Sequence, residues 1–155
     1  MSTLAGRPAL ELAALVKRKQ ASPQEVLRDH LVRFGEADAG IHAFQGLRAE
    51  RALAEAAELG AGPGLAGLPL AGVPVAIKDE CDVAGEPTRY GSAATGAGPR
   101  PADSELVRRL RAAGCVVIGK TTVPELMIWP FTESAAFGIT RNPWNRERTP
   151  GGSSG

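Results

Sequence analysis

The sequence predicts an α/β fold, with N-terminal helices followed by a mixed, largely parallel sheet that carries helices on its faces. Three observations point to it. The first third has helical periodicity and a full helix-start signature at Ser22-Pro23-Gln24-Glu25. Two short apolar runs, Val73-Pro74-Val75-Ala76-Ile77 and Cys115 to Ile118, have the length and composition of buried strands. A helical pattern directly precedes the second run, an order that suits parallel pairing with helices outside.

The elements follow in chain order. Leu10, Leu12, Ala13, Leu15 and Val16 fit one face of a short amphipathic helix. In the next helix Ser22 caps, Pro23 takes the first helical position and Glu25 completes a capping box. Val26, Leu27, Leu31 and Phe34 supply its buried stripe. Ala43 to Leu47 reads as a short strand, and the Ala- and Glu-rich stretch Arg48 to Leu59 as a third helix. Gly60 to Pro69 has the turn chemistry of a loop within a domain. Pro74 assigns the Val73–Ile77 run to a sheet edge or a strand start, and Lys78-Asp79 ends it. Cys81 to Pro101 shows no period. Asp103 is placed to cap a helix carrying Leu106, Val107 and Leu110, with Arg108, Arg109 and Arg111 on the wet side and Gly114 as its stop. Thr121 to Gly155 is mostly turn chemistry.

Composition narrows the function. The 155 residues carry 18 Lys+Arg against 17 Asp+Glu, so no broad field draws nucleic acid or an anionic membrane. Aromatic residues make up 5%, too few for a base-stacking platform. Cys81 and Cys115 have neither disulfide-framework nor metal-ligand spacing and read as reduced core residues, which fits a cytoplasmic setting. No leader peptide, membrane span, metal or cofactor is expected.

Two places could carry chemistry. Lys78 follows four apolar residues at a strand end. It is either a solvated lysine pairing with Asp79 or Glu80, or a desolvated amine able to act as a base. Thr149-Pro150-Gly151-Gly152-Ser153-Ser154-Gly155 is either a flexible tail or a run in which glycines let the backbone present serine hydroxyls to a ligand. The only histidines, His30 and His42, fall in the helical N-terminal part, so lysine is the better-placed base for an activated serine. Gly114-Cys115-Val116-Val117-Ile118-Gly119-Lys120-Thr121 matches the phosphate-loop pattern letter for letter. Its four intervening residues are themselves strand-like, which opposes that use. A nucleotide-binding module built on Gly119-Lys120-Thr121 and a small interaction domain with a Gly/Ser tail are the readings from other classes.

Three segments in order resemble the amidase signature family. They are Gly72-Val73-Pro74-Val75-Ala76-Ile77-Lys78-Asp79, Gly119-Lys120-Thr121-Thr122-Val123-Pro124-Glu125-Leu126, and Phe137-Gly138 through Arg141-Asn142-Pro143-Trp144 to Pro150-Gly151-Gly152-Ser153-Ser154-Gly155. The resemblance implies an amidase that hydrolyses a small-molecule carboxylic amide through a serine acyl-enzyme. Lys78 would be the base. Ser153 would be the bridging serine, held by a non-proline cis peptide. Ser154, Gly151 and Gly152 would support them, and Met127 would line the acyl pocket. The nucleophilic serine and oxyanion glycines would lie beyond residue 155. Residues 1–155 would then be the N-terminal portion of a single, incomplete domain, with a helical segment over about 8–60 and the start of the α/β core over about 66–155. Such a chain alone is expected to be inactive and prone to aggregation. A glutaminase-type subunit of a tRNA-dependent amidotransferase is the alternative within the resemblance. It would add a partner protein and tRNA, although Trp129-Pro130-Phe131 looks more like stand-alone bacterial amidases. The oligomeric state is not legible.

Overall fold

A computed structural model describes residues 4–155. The helices are α1 (Ala9–Lys17), α2 (Pro23–Ala37), α3 (Ala49–Ala61) and α4 (Glu105–Ala112). Strands β1 (Phe44–Leu47), β2 (Pro74–Lys78) and β3 (Val116–Thr121) form one sheet in the order β1-β3-β2, and β4 (Glu133–Ser134) pairs with β5 (Gly138–Ile139). The three-stranded sheet is mixed. β1 runs antiparallel to β3, with Phe44 opposite Thr121 and Leu47 opposite Gly119. Along β2 and β3 the hydrogen bonds Val116 N–H to Val73 O and Asp79 N–H to Thr121 O advance together, the parallel sense. Pro74 lies on an edge strand, where a missing N–H is tolerated.

The chain divides into two compact units. The first takes residues up to Glu36, Arg48–Val75 and Arg108–Ile118. Its core joins Leu12, Ala13 and Val16 of α1 to Val26 of α2 and to Ala71, Val73 and Cys115. The capping box forms as expected: Ser22 N–H donates to Glu25 at 2.8 Å and Glu25 N–H donates to the Ser22 hydroxyl at 3.2 Å. Gly114 stops the chain after α4 at φ +98°, where a side chain would press on Leu68 and Ala71. Two apolar residues depart from the expected stripes. Leu10 is exposed because it sits two positions before Leu12, across the helix from the buried face. Leu106 is exposed because α4 buries the face centred on Val107. Asp103, expected as the cap of α4, accepts a hydrogen bond from the Ala84 N–H.

Arg48, immediately before α3, is buried and reaches β3. Its guanidinium donates to the Val117 carbonyl at 2.7 Å and to Glu55 at 2.6 Å, and Arg111 donates to the other Glu55 oxygen at 2.7 Å. Burial disfavours the Glu55 carboxylate, but the hydrogen bonds from Arg48 and then Arg111 outweigh it and hold the carboxyl below its ordinary range.

The second unit takes Ala37–Leu47, Ala76–Val107 and Gly119–Gly155. Regular structure is sparse in it, and side-chain hydrogen bonds carry the loops. Thr122 and Thr140 share a hydrogen bond at 2.6 Å, and Thr140 donates to the His42 carbonyl at 2.8 Å. No helix among the described residues is long and apolar enough to cross a membrane.

The lowered Glu55 carboxyl makes a pH-dependent contribution to stability. That contribution is full above the unfolded carboxyl value and is lost as pH falls through the folded one. Glu55→Gln should therefore lower the melting temperature at neutral pH, by an amount that shrinks as pH falls below the ordinary carboxylate range. Thermal melts across that range check this; an equal deficit at every pH would mean that the charge is not involved.

Candidate active site

Lys78 is the last residue of β2, a strand held in register by β3. Its Nζ donates to Ser153 Oγ at 2.9 Å, a contact between residues 75 apart in sequence. Its second partner is Glu80, with Oε1 at 3.3 Å. The Lys78 side chain is 21% exposed. The structure therefore brings together two residues that the sequence places in different motifs.

Ser153 is delivered by the Gly/Ser run, which is ordered by specific contacts. The peptide between Gly152 and Ser153 is cis. Gly151 adopts φ +111°, a region that favours glycine. At Gly152 a β-carbon would lie 2.8 Å from the Phe131 nitrogen and 2.9 Å from the Trp129 oxygen, so the backbones approach too closely for any other residue. Thr132 is buried and ties the run down. Its hydroxyl donates to the Gly151 carbonyl at 2.8 Å, and its N–H donates to the Thr149 hydroxyl at 3.1 Å. Ser154 follows at the surface.

The rest of the candidate set falls less neatly. Met127 lies in a 3-10 turn, Glu125–Met127, with φ +60°. It does not line the nearby hollow of 480 Å³, whose walls are Glu125, Trp129, Phe131, Glu133, Ser134, Ala135 and Ile139. Trp129 and Phe131 stack there with ring centroids 5.6 Å apart. Cys115 is buried as expected, but Cys81 is only partly so. Burial, then the Glu80 charge, pushes the Cys81 thiol up, so it stays protonated and is a poor nucleophile beside Lys78. The Gly119-Lys120-Thr121 match to a phosphate loop is overturned. All three residues lie within β3, their amides face neighbouring strands, and Lys120 is buried against Asp79 with Nζ 2.9 Å from Oδ1. Among the described residues no group of His, Cys, Asp and Glu could hold a metal.

Sequence reasoning missed Thr132 and Thr88, and it offered Asp79 only as a partner for Lys78, which pairs with Glu80 instead. No local pattern marks a threonine that reaches a glycine carbonyl 19 residues away. Asp79 did carry a signal, a carboxylate immediately after an apolar run, but its partner Lys120 lies on another strand.

The sequence profile described as Amidase matches residues 25–155. AmiB2 of Mycobacterium tuberculosis, named as an amidase, is 57% identical over 135 residues, covering 84% of this chain and 28% of that protein. A glutamyl-tRNA(Gln) amidotransferase component from Acidothermus cellulolyticus is 45% identical, covering 100% of this chain and 31% of that one. Among solved structures, native peptide amidase from Stenotrophomonas maltophilia superposes with a TM-score of 0.85 at 34% identity, over 97% of this chain and 32% of that one. The chain thus spans about a third or less of the length of these relatives.

Gly152→Ala should destabilise the unit by about 1–3 kcal/mol, the usual range for forcing atoms into packed space, and displace Ser153. Chemical denaturation and hydrogen exchange at residues 151–155 measure it. A variant with parental stability and exchange would mean that the close approach at Gly152 is not a constraint.

Proposed function

The chain belongs to the amidase family, and on that premise we propose that it supplies the base and the relay serine of an amide-hydrolysing enzyme. The observation that carries the proposal is the 2.9 Å hydrogen bond between Lys78 Nζ and Ser153 Oγ. Lys78 is the base. Ser153 is the relay, and Gly151, Gly152 and Ser154 shape the backbone around it. The attacking serine and the oxyanion donors come from outside these 155 residues.

An uncharged Lys78 amine accepts the Ser153 proton while Ser153 accepts one from the attacking serine. The serine oxygen then bonds to the amide carbon, and the C–N bond breaks as the proton returns through the same relay to the nitrogen. Ammonia or amine leaves at that step, and water then repeats the sequence on the acyl-enzyme to release the acid. An uncharged amine fits the contacts of Lys78. Its Nζ lies 2.9 Å from Ser153 Oγ, a separation that serves either direction of the bond, and an N–H can donate to Glu80. The substrate is a small-molecule amide, the setting cytoplasmic, and residues 1–155 form part of one larger domain. The 57% identity to AmiB2 favours hydrolysis over a glutaminase role within an amidotransferase, since the amidotransferase relative is 45% identical.

In the full-length enzyme that carries this segment, Lys78→Ala and Ser153→Ala should each lower kcat for a simple aryl amide by several orders of magnitude, the usual scale for a triad member. The isolated 155-residue chain should show no turnover. Near-parental rates in Lys78→Ala would remove the base assignment. Copurification with partner proteins and glutamine-dependent activity would move the assignment to an amidotransferase.

A further inference from the structure

The proton relay leaves a buried ion pair unused. Asp79 is 1% exposed and Lys120 is 4% exposed, and Lys120 Nζ lies 2.9 Å from Asp79 Oδ1. Taking two charges out of water costs several kcal/mol per ion unless the pair is well supported, so their burial next to Lys78 calls for a physical reason.

The partners of Asp79 supply one. Its Oδ2 accepts the Arg89 N–H at 3.1 Å, and its own N–H donates to the Thr121 carbonyl at 3.2 Å. Its carbonyl accepts the Tyr90 N–H at 3.2 Å. Lys120 Nζ in turn donates to the buried Thr88 hydroxyl at 3.0 Å. One residue therefore fastens the end of β2 to the end of β3 and to the loop at 88–90, through backbone and side chain together. That residue is the covalent neighbour of Lys78.

We propose that the Asp79–Lys120 ion pair is a positioning device for Lys78, fixing the β2 terminus so that the amine meets Ser153. Asp79 and Lys120 touch no reacting atom and act only through Lys78. The inference rests on the assignment of Lys78 as base. The pair also gives the two lysines different roles: Lys120 is engaged by Asp79, Thr88 and the Pro87 carbonyl, which leaves Lys78 as the amine available to Ser153.

The test uses the full-length enzyme and the double variant Asp79→Leu/Lys120→Met. Removing both charges avoids leaving either one buried alone. Thermal melts establish that the variant is folded. Its kcat should fall about 100-fold, the scale of a misplaced catalytic group, with KM changed by less than about threefold. A crystal structure should show Lys78 Nζ drawn away from Ser153 Oγ. Repeating the double substitution in a Lys78→Ala background should cost almost nothing further, because the pair has no other route to the chemistry. An equal loss in both backgrounds would reduce the pair to general structural support and overturn the proposal. So would an unchanged kcat in the double variant while Lys78→Ala is inactive. Near-parental activity of Lys78→Ala alone would overturn the base assignment first, and this inference with it.

Discussion

The hydrogen bond from Lys78 to Ser153 depends on two unlike supports meeting within a fraction of an ångström. On one side stands a strand end, rigid because its backbone is bonded to β3 and its last residue is followed by buried Asp79. On the other is a glycine-rich run with no regular structure, which by composition alone would be mobile. It is fixed by contact: Gly152 against the backbone of residues 129–131, and Gly151 through its carbonyl to buried Thr132. The chain thus treats a loop as a rigid element by removing side-chain volume from it and bonding its carbonyls.

The same economy bears on the proposed use of lysine in place of histidine. Two lysines sit at neighbouring strand ends, and their chemistry differs only through surroundings. Lys120 is inside, with a carboxylate and a hydroxyl as fixed partners. Lys78 is part-exposed, with a hydroxyl at 2.9 Å and a carboxylate at 3.3 Å. A lysine saturated by a buried counter-ion has no lone pair to offer. One that shares its contacts with a serine has a proton-transfer partner already at the right distance.

Much of the fold was legible because its signals are local. The capping box at Ser22 and Glu25 spans a single helical turn, so the sequence contains both halves of it. Pro74 announced an edge strand or a strand start, and it is the first residue of an edge strand, because a missing N–H leaves few other places in a sheet. Leu10 and Leu106 were misplaced for a related reason. Apolar residues near a helix start count towards a stripe in a periodic pattern, while the actual buried arc is narrower and set by what lies opposite. The site was half legible. Lys78 and Ser153 belong to recognisable motifs, but Thr132 and the Asp79–Lys120 pair are tertiary: each is an ordinary residue in its own neighbourhood and acquires meaning from a partner brought to it by the fold. The Gly119-Lys120-Thr121 letters show the converse, a motif whose spacing is right and whose backbone is a strand rather than a loop.

The polarity of the central hydrogen bond links this geometry to the proposed catalysis. With Lys78 donating and Ser153 accepting, the bond has a direction open to an ammonium and to an uncharged amine alike. The proposed base role uses the reverse direction, with the serine proton directed into the amine lone pair. The heavy-atom separation of 2.9 Å serves both, since hydrogen positions alone distinguish them. Glu80 can accept a hydrogen bond from an ammonium or from an uncharged amine, more strongly from the ammonium. In the proposed relay, reversing the bond moves hydrogens and leaves both heavy atoms in place. This is the arrangement expected where the surrounding dipoles are already in place before the reaction begins.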